Sequence, residues 1–206
     1  TEIGMPSLLV VGEVVTLRES LRWFDTQPLF GTKVLVTRPV HQAGSMAALL
    51  RDRGAQPLMA PTIELSARTD ELDLLSTKLS GYDWVVFTSA NTVDFVLDAV
   101  DRTGGDARRF GTARLIAIGD KTAAAMRLRG LRADEVATTS RAEGVVDALE
   151  PLLAEKSRVL IPRSGRARNV LVDRLVAGGH HVDAPVAYDV RAVAGAAADE
   201  VRGKPA

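Results

Sequence analysis

Four short segments of this chain carry hydroxyl, glycine or arginine residues where an anion could bind. Each follows a short apolar run and precedes an amphipathic stretch, so each is predicted to join a strand to a helix. Free backbone N–H groups and the helix dipole favour negative charge at such places, and hydroxyl groups add neutral hydrogen-bond donors. The segments are residues 37–39, 88–91, 119–122 and 163–166.

The fourth segment lies in the most basic part of the chain and is predicted to cradle a polyanion. Five arginines between residues 158 and 174 are accompanied by a single acid, Asp173. Capping of a helix by Ser, Thr or Asn is the alternative explanation for any one segment, but four segments in one chain favour a ligand site. The arginines are Arg158, Arg163, Arg166, Arg168 and Arg174.

Other kinds of site find little support in the sequence. The absence of Cys excludes disulfides, thiol catalysis and Cys-ligated metal. The histidines His41, His180 and His181 have no matching ligand cluster, so no metal site is predicted. Tyr188 ends an extended run, where it is either an ordinary aromatic residue of a strand or a hydroxyl donor in a cleft.

Composition restricts the possible partners. The 206 residues are 46% apolar, and 26 basic side chains balance 26 acidic ones. A neutral chain gives no reason to expect binding to nucleic acid or to a membrane surface. No apolar run approaches the ~18 residues of a membrane span, and no signal peptide is recognisable. We therefore expect a cytoplasmic protein that binds a small molecule.

The elements that must position these residues include a unit that occurs twice. Residues 33–65 and 158–190 align at a constant offset of 125, which places Arg38 on Arg163 and Gly54 on Gly179. Each copy reads as strand, loop, helix and strand. The repeat predicts two similar α/β lobes, and a cleft between two lobes is a common site for a small ligand.

Apolar runs at 84–88, 114–118 and 158–162 alternate with helical patterns, which is typical of interior strands of a parallel sheet. The predicted fold class is therefore α/β with parallel sheets. Residues 8–15 are predicted to form a further strand, and residues 17–24 a helix, before a linker at 25–31 that contains Pro and Gly.

Several segments, taken in order, resemble uroporphyrinogen-III synthase over about residues 32–195. They are VLVTRP (34–39), PTIEL (61–65), WVVFTSANTV (84–93), AIGDKTAAAM (117–126), LIPRSGRARNVLVDRLVAGG (160–179) and VAYDV (186–190). Residues 8–24 resemble the C-terminal end of uroporphyrinogen-III C-methyltransferase. The resemblance implies a methyltransferase domain fused upstream in a parent protein.

The resemblance also implies two α/β lobes joined by a two-stranded linker. Residues 1–31 would be the methyltransferase tail and linker, and 68–184 the central lobe. Residues 32–67 and 185–206 would form the outer lobe with the linker strands. A second TS-containing strand end and a second IGxxT loop are expected after the linker, but the sequence ends before either. The outer lobe is therefore expected to be incomplete in a truncated chain.

The activity implied by the resemblance is that of a lyase of tetrapyrrole biosynthesis. It closes hydroxymethylbilane to uroporphyrinogen III, inverting the last pyrrole ring and losing water, without a cofactor. By motif position, Tyr188 would assist departure of the hydroxyl group. The residues implied to bind substrate are Arg38, Thr88, Ser89, Asn91, Gly119, Thr122, Arg163 and Ser164.

Two alternatives remain open from the sequence. One is a non-catalytic, two-lobe α/β module that binds a small anion. The other is a methyltransferase, of which residues 1–24 would be a remnant, although the body that would bind its cofactor is missing. Turnover of hydroxymethylbilane distinguishes the enzyme from the anion-binding module.

Overall fold

The structure is a computed structural model that describes residues 8–139 and 141–193. Within them the strands are β1 (Lys33–Val36), β2 (Gln56–Met59), β3 (Ile63–Ala67), β4 (Trp84–Phe87), β5 (Arg114–Ala117), β6 (Glu135–Val136), β7 (Arg158–Leu160), β8 (Arg163–Ser164), β9 (His181–Asp183) and β10 (Val186–Ala192). The α-helices are α1 (Arg18–Leu21), α2 (Val40–Asp52), α3 (Thr69–Ser76), α4 (Ala90–Arg102), α5 (Asp120–Leu128), α6 (Ala142–Leu149) and α7 (Val170–Ala177). Short 3-10 helices lie at Glu13–Leu17, Leu79–Gly81, Ala107–Phe110 and Glu150–Leu152.

The chain divides into two compact units. One extends to Glu64 and resumes at Ala192, and the other is Leu65–Arg191. The larger unit contains a five-stranded sheet in the order β6-β5-β4-β7-β9, and all four strand pairs are parallel. The predicted α/β class with parallel sheets is confirmed.

The centre of this sheet is apolar on both faces because helices cover both. All four residues of β4 are buried. Val85 and Phe87 pack into the cluster that includes residues of α3, α4 and α5, whereas Trp84 and Val86 pack into the cluster that includes residues of α6 and α7. Full burial of a side chain such as Phe87 contributes about 2 kcal/mol. The alternation along β4 therefore ties both layers of helices to one strand.

The repeated unit predicted from the sequence is confirmed in detail. Parallel pairing joins β1 to β2 and β7 to β9, and the register is the same at the offset of 125 residues. Lys33 pairs with Gln56, and Arg158 pairs with His181. The glycine after each helix also has the same left-handed backbone, with φ of 83° at Gly54 and 84° at Gly179. Glycine adopts this conformation without the penalty that a Cβ atom imposes.

A third sheet has the order β3-β10-β8. Its strands β3 and β10 lie within residues 32–67 and 185–206, the segments predicted to contain the linker strands. Residues 163 and 164 were predicted to lie in a loop, but they form β8, which pairs with β10 in parallel. Two residues are too few to show a strand periodicity in the sequence.

The N-terminal prediction was wrong in part. Residues 8–11 form no strand, and a 3-10 helix at Glu13–Leu17 leads directly into α1. An apolar run becomes a strand only beside a partner edge, and no strand pairs with this segment among the described residues. The two-residue strand β6 was not predicted either. The parts of the N-terminal tail and outer lobe at 1–7 and 194–206 lie outside the described residues.

Candidate functional site

The strand order of the larger unit has a topological switch point beside β4, where the order in which strands are added to the sheet reverses. From β4 the chain proceeds outward to β5 and β6, and then returns to place β7 on the other side of β4. Ligands of open α/β sheets bind at such a point, beyond the carboxyl ends of the strands. A pocket of about 300 Å³ lies there. It is lined by Thr88, Ser89, Ile118, Arg141, Ala142, Ile161, Arg163, Ser164, Ala167, Arg168, Leu171, Val172 and Tyr188.

Five residues predicted from the sequence meet at this pocket. Thr88 and Ser89 directly follow β4, and Arg163 and Ser164 form β8. Tyr188 lies on β10 as the register partner of Ser164, which brings the two hydroxyl-bearing residues side by side. The pocket therefore has hydroxyl groups on two walls and apolar side chains, such as Ile118 and Leu171, between them.

Tyr188 is buried and is held by an aromatic neighbour. Only 6% of the residue is exposed. Its ring stacks on Phe95 of α4, with centroids 5.0 Å apart and an interplanar angle of 29°. The ring of Tyr188 is thus packed in the apolar cluster that includes residues of α4.

Ser89 has a structural role as well as its place in the pocket. Its Oγ accepts a hydrogen bond of 3.1 Å from the backbone N–H of Thr92 and lies 2.7 Å from Oγ1 of Thr92. It is thus the N-cap of α4. The capping explanation and the ligand explanation are both compatible with this one residue.

Arg163 stabilises the loop that leads from β8 to α7 by binding residues at its far end. One of its Nη atoms donates to Oδ1 of Asn169 and, at 3.5 Å, to the carbonyl oxygen of Ala167. Its Nε is buried and has no partner among the described residues. The next turn is anchored by the N–H of Gly165, which donates to the carbonyl oxygen of Tyr188 at 2.9 Å. The guanidinium of Arg163 is thereby positioned, and its second Nη atom makes no hydrogen bond among the described residues.

The predicted basic cradle is only partly correct. Arg163 and Arg168 line the pocket. Arg158 begins β7 and lies 5.4 Å over the ring of Tyr82, and Arg174 pairs with Glu150 at 3.3 Å. Arg141 was not among the predicted residues, because the strand β6 that precedes its loop was not recognised. With Arg141 the pocket has three arginines, and no acidic residue among the described ones lines it.

The remaining predicted residues are not among those that line this pocket. Asn91 is a half-buried residue in the first turn of α4. Gly119 precedes α5, and its carbonyl oxygen accepts 3.0 Å bonds from the N–H groups of Thr122 and Ala123. Thr122 is 4% exposed. Arg38 follows β1 and belongs to the other unit of the chain.

Tyr82 is a second buried tyrosine, away from the pocket. Its hydroxyl group donates to Oδ2 of Asp183 at 2.7 Å. Burial and this hydrogen bond raise the pKa of Tyr82 to about 12. The described residues contain no group of three His, Asp or Glu side chains that could hold a metal ion. They also contain no helix long and apolar enough to cross a membrane.

Comparison with known proteins shows consistent similarity to one family. The family model described as uroporphyrinogen-III synthase HemD matches residues 44–203, more than half of the chain. A relative named porphyrin biosynthesis protein HemD, from Ruminiclostridium josui, is 31% identical over 84% of this chain and 35% of its own. A putative uroporphyrinogen-III synthase from Methanothermobacter thermautotrophicus is 34% identical over 74% of this chain and 60% of its own.

The fold agrees with a solved structure. A mutant uroporphyrinogen III synthase from Thermus thermophilus superposes with a TM-score of 0.57 and 21% identity, covering 79% of this chain and 64% of the other. The chain thus spans less than two thirds of the length of each of these proteins. Because the family model and the relatives agree, the chain belongs to the uroporphyrinogen-III synthase family.

Proposed function

We propose that this chain belongs to an enzyme that closes hydroxymethylbilane to uroporphyrinogen III. The observation that carries the proposal is the pocket beside the ends of β4 and β7. It combines three arginines, several hydroxyl groups and an apolar interior, and within the described part of the chain no acidic residue lines it. A tetrapyrrole with acetate and propionate side chains has the complementary character, because its edge is anionic and its pyrrole rings are apolar.

The reaction depends more on positioning than on acid–base catalysis. The substrate loses its terminal hydroxyl group readily, and ring closure then forms a carbon–carbon bond to the inverted last pyrrole. The carbon–oxygen bond to the hydroxyl group breaks and the pyrrole carbon that forms the new bond loses its proton, so that one water is lost overall. Because unaided closure gives the wrong isomer, the protein must hold one conformation of the chain of rings, which binding in a shaped pocket provides.

The pocket residues suit distinct parts of this task. Arg163 is held through one Nη atom by Asn169 and Ala167, and its other Nη atom can donate to a carboxylate. Ser89 and Ser164 supply neutral donors on two walls. Tyr188, which stacks on Phe95, is proposed to donate the proton that departs with the hydroxyl group.

The roles of Arg38, Asn91, Gly119 and Thr122 remain proposals drawn from the family resemblance. Gly119 and Thr122 form the start of α5, where backbone N–H groups are available to an anion. Arg38 corresponds to Arg163 in the repeated unit, which supports a matching role beside β1.

We also propose that the parent protein carries a methyltransferase domain upstream, with residues 1–31 as its tail and linker. The support is the resemblance of residues 8–24 and the greater length of the relative from R. josui, of which the chain covers 35%. The proposed synthase lobes are 68–184 and, for the partial outer lobe, 32–67 with 185–206.

Turnover tests the function directly. The chain and its Tyr188→Phe variant would be supplied with hydroxymethylbilane, and the type III and type I products separated. We expect type III product from the chain and an approximately 3- to 10-fold lower rate from the variant, since one neutral hydrogen bond contributes about 0.5–1.5 kcal/mol. Binding of the substrate without type III product would favour the non-catalytic anion-binding module. An unchanged rate and isomer ratio in the variant would remove Tyr188 from the reaction.

A further inference from the structure

The arginines of the larger unit fall into different groups by their partners. Six of them pair with carboxylates within 4 Å of the guanidinium, whereas none of the three pocket arginines has a carboxylate partner among the described residues. The six are Arg68, Arg102, Arg108, Arg114, Arg129 and Arg174. The pocket therefore concentrates positive charge that the protein itself does not neutralise.

Arg141 brings this charge to the pocket from a separate element. It immediately precedes α6, whereas Arg163 and Arg168 lie in the segment between β7 and α7. Residues of α6 and α7 pack in the same apolar cluster, which places the two helices together on one face of the sheet. The pocket lies at the starts of these neighbouring helices, with Arg141 and Ala142 on one side and Arg168 and Leu171 on the other.

The fold does not need the guanidinium of Arg141. The backbone of Arg141 donates to the carbonyl oxygen of Thr139 at 2.7 Å and accepts from the N–H of Val145 at 3.2 Å. Neither bond involves the side chain. No hydrogen bond or ion pair of the Arg141 side chain is present in the described part of the chain. The side chain is exposed and lines the pocket.

We propose that Arg141 is a specificity-determining residue that binds a carboxylate on the periphery of the ligand. Together with Arg163 and Arg168 it makes affinity depend on how many carboxylates the tetrapyrrole carries. A guanidinium suits this role because its planar donors can bind a carboxylate through two hydrogen bonds. The inference rests on the proposed function for the class of ligand.

Binding of two porphyrinogens to the chain tests the proposal without requiring turnover. Uroporphyrinogen III carries acetate and propionate groups, and coproporphyrinogen III has a methyl group in place of each acetate. Equilibrium dialysis under reducing conditions would measure the affinity for each porphyrinogen. The proteins compared are the unmodified chain and its Arg141→Gln and Arg141→Lys variants. The matched control is Arg132→Gln, because Arg132 is exposed and does not line the pocket.

We expect Arg141→Gln to weaken binding of uroporphyrinogen III about 3- to 10-fold, as for loss of one exposed charged contact. Binding of coproporphyrinogen III should change less, and Arg141→Lys should restore part of the loss. The Arg132→Gln control should match the unmodified chain, and all variants should melt at the same temperature.

The outcomes separate the two proposals. If the chain binds uroporphyrinogen III but Arg141→Gln behaves like Arg132→Gln, the role of Arg141 is overturned and the proposed function stands. Equal losses for both porphyrinogens would also overturn it, because the residue would then not read the number of carboxylates. If the unmodified chain neither binds uroporphyrinogen III nor turns over hydroxymethylbilane, the proposed function fails, and the role of Arg141 with it.

Discussion

At the scale of single residues, Tyr82 provides a test of the structure that is independent of the pocket. Its pKa is raised to about 12, above the value of ~10 for an unfolded chain. A group with a raised folded-state pKa stabilises the fold fully below the unfolded value. That contribution is lost as the pH rises through the folded value. Stability should therefore fall between about pH 10 and pH 12 because of Tyr82.

We expect Tyr82→Phe to remove this alkaline step and to lower the free energy of unfolding by about 1–2 kcal/mol at neutral pH, because Asp183 loses its partner. Urea unfolding at a series of pH values, with absorbance of tyrosinate as a second signal, measures both effects. Only two tyrosines are present, so Tyr188→Phe is the matched control and must leave the Tyr82 step in place. A step that survives in Tyr82→Phe would contradict the assignment.

Ser89 and Arg141 show what can be predicted from the sequence at this scale. The segment that contains Ser89 gave two explanations, capping and ligand binding, and the geometry is compatible with both. Arg141 was missed because the short strand β6 before its loop was not recognised, and a single exposed arginine has no distinguishing neighbours in the sequence. Its significance comes from packing of α6 against α7, which is a long-range contact that a local pattern does not contain.

At the scale of elements, the repeated unit allows a paired experiment on its two glycines. Both have a left-handed backbone, so Ala at either position is strained by about 1–2 kcal/mol. Their surroundings differ, however. A Cβ at Gly179 would have no atom within 4 Å, whereas one at Gly54 would lie 2.8 Å from Cβ of Gln27 and 3.1 Å from N of Phe30.

Gly179→Ala should therefore show the backbone strain alone, and Gly54→Ala should cost a further 1–3 kcal/mol or so from overpacking. Thermal unfolding measures the difference. The control is Gly44→Ala in α2, where a Cβ meets nothing within 4 Å and a helical Ala should stabilise by roughly 0.5–1 kcal/mol. Equal losses at Gly54 and Gly179 would mean that the segment around Phe30 does not pack on the turn.

Long apolar elements were predictable, whereas very short ones were not. The run that becomes β4 is apolar throughout and alternates with helical patterns, which predicts a buried strand of a parallel sheet. The two-residue strands β6 and β8 exist because neighbouring strands offer them an edge. That edge is provided by distant parts of the chain, so their own residues carry no signal.

At the scale of the whole molecule, the two units differ in how much sheet they contain. The unit that extends to Glu64 has the two-stranded sheet of β1 and β2, and only Val36 is buried in β1. A two-stranded sheet has limited stability of its own. Amide hydrogen exchange should therefore be faster in β1 and β2 than in β4 and β5, where a central strand has a neighbour on each side.

Mass spectrometry of peptides after deuterium labelling measures this contrast. Sedimentation under the same conditions is the control, since self-association would cover the apolar face of the smaller sheet. Equal protection of the two sheets in a monomer would contradict the expected difference in stability. The repeat in the sequence predicted similar lobes, but equal strand content was not predictable from it, because sheet size depends on which other strands pair.

The pocket described above has a kinetic consequence. The chain as a whole is neutral, with 26 basic and 26 acidic side chains, so its net charge would not attract the proposed anionic ligand from a distance. The field of the three pocket arginines extends only about 8 Å at physiological ionic strength. The field therefore acts late in an encounter. It orients a ligand that is already near the pocket and does not raise the rate at which ligands arrive. If the proposed ligand binds here, capture should begin with its carboxylate-bearing edge.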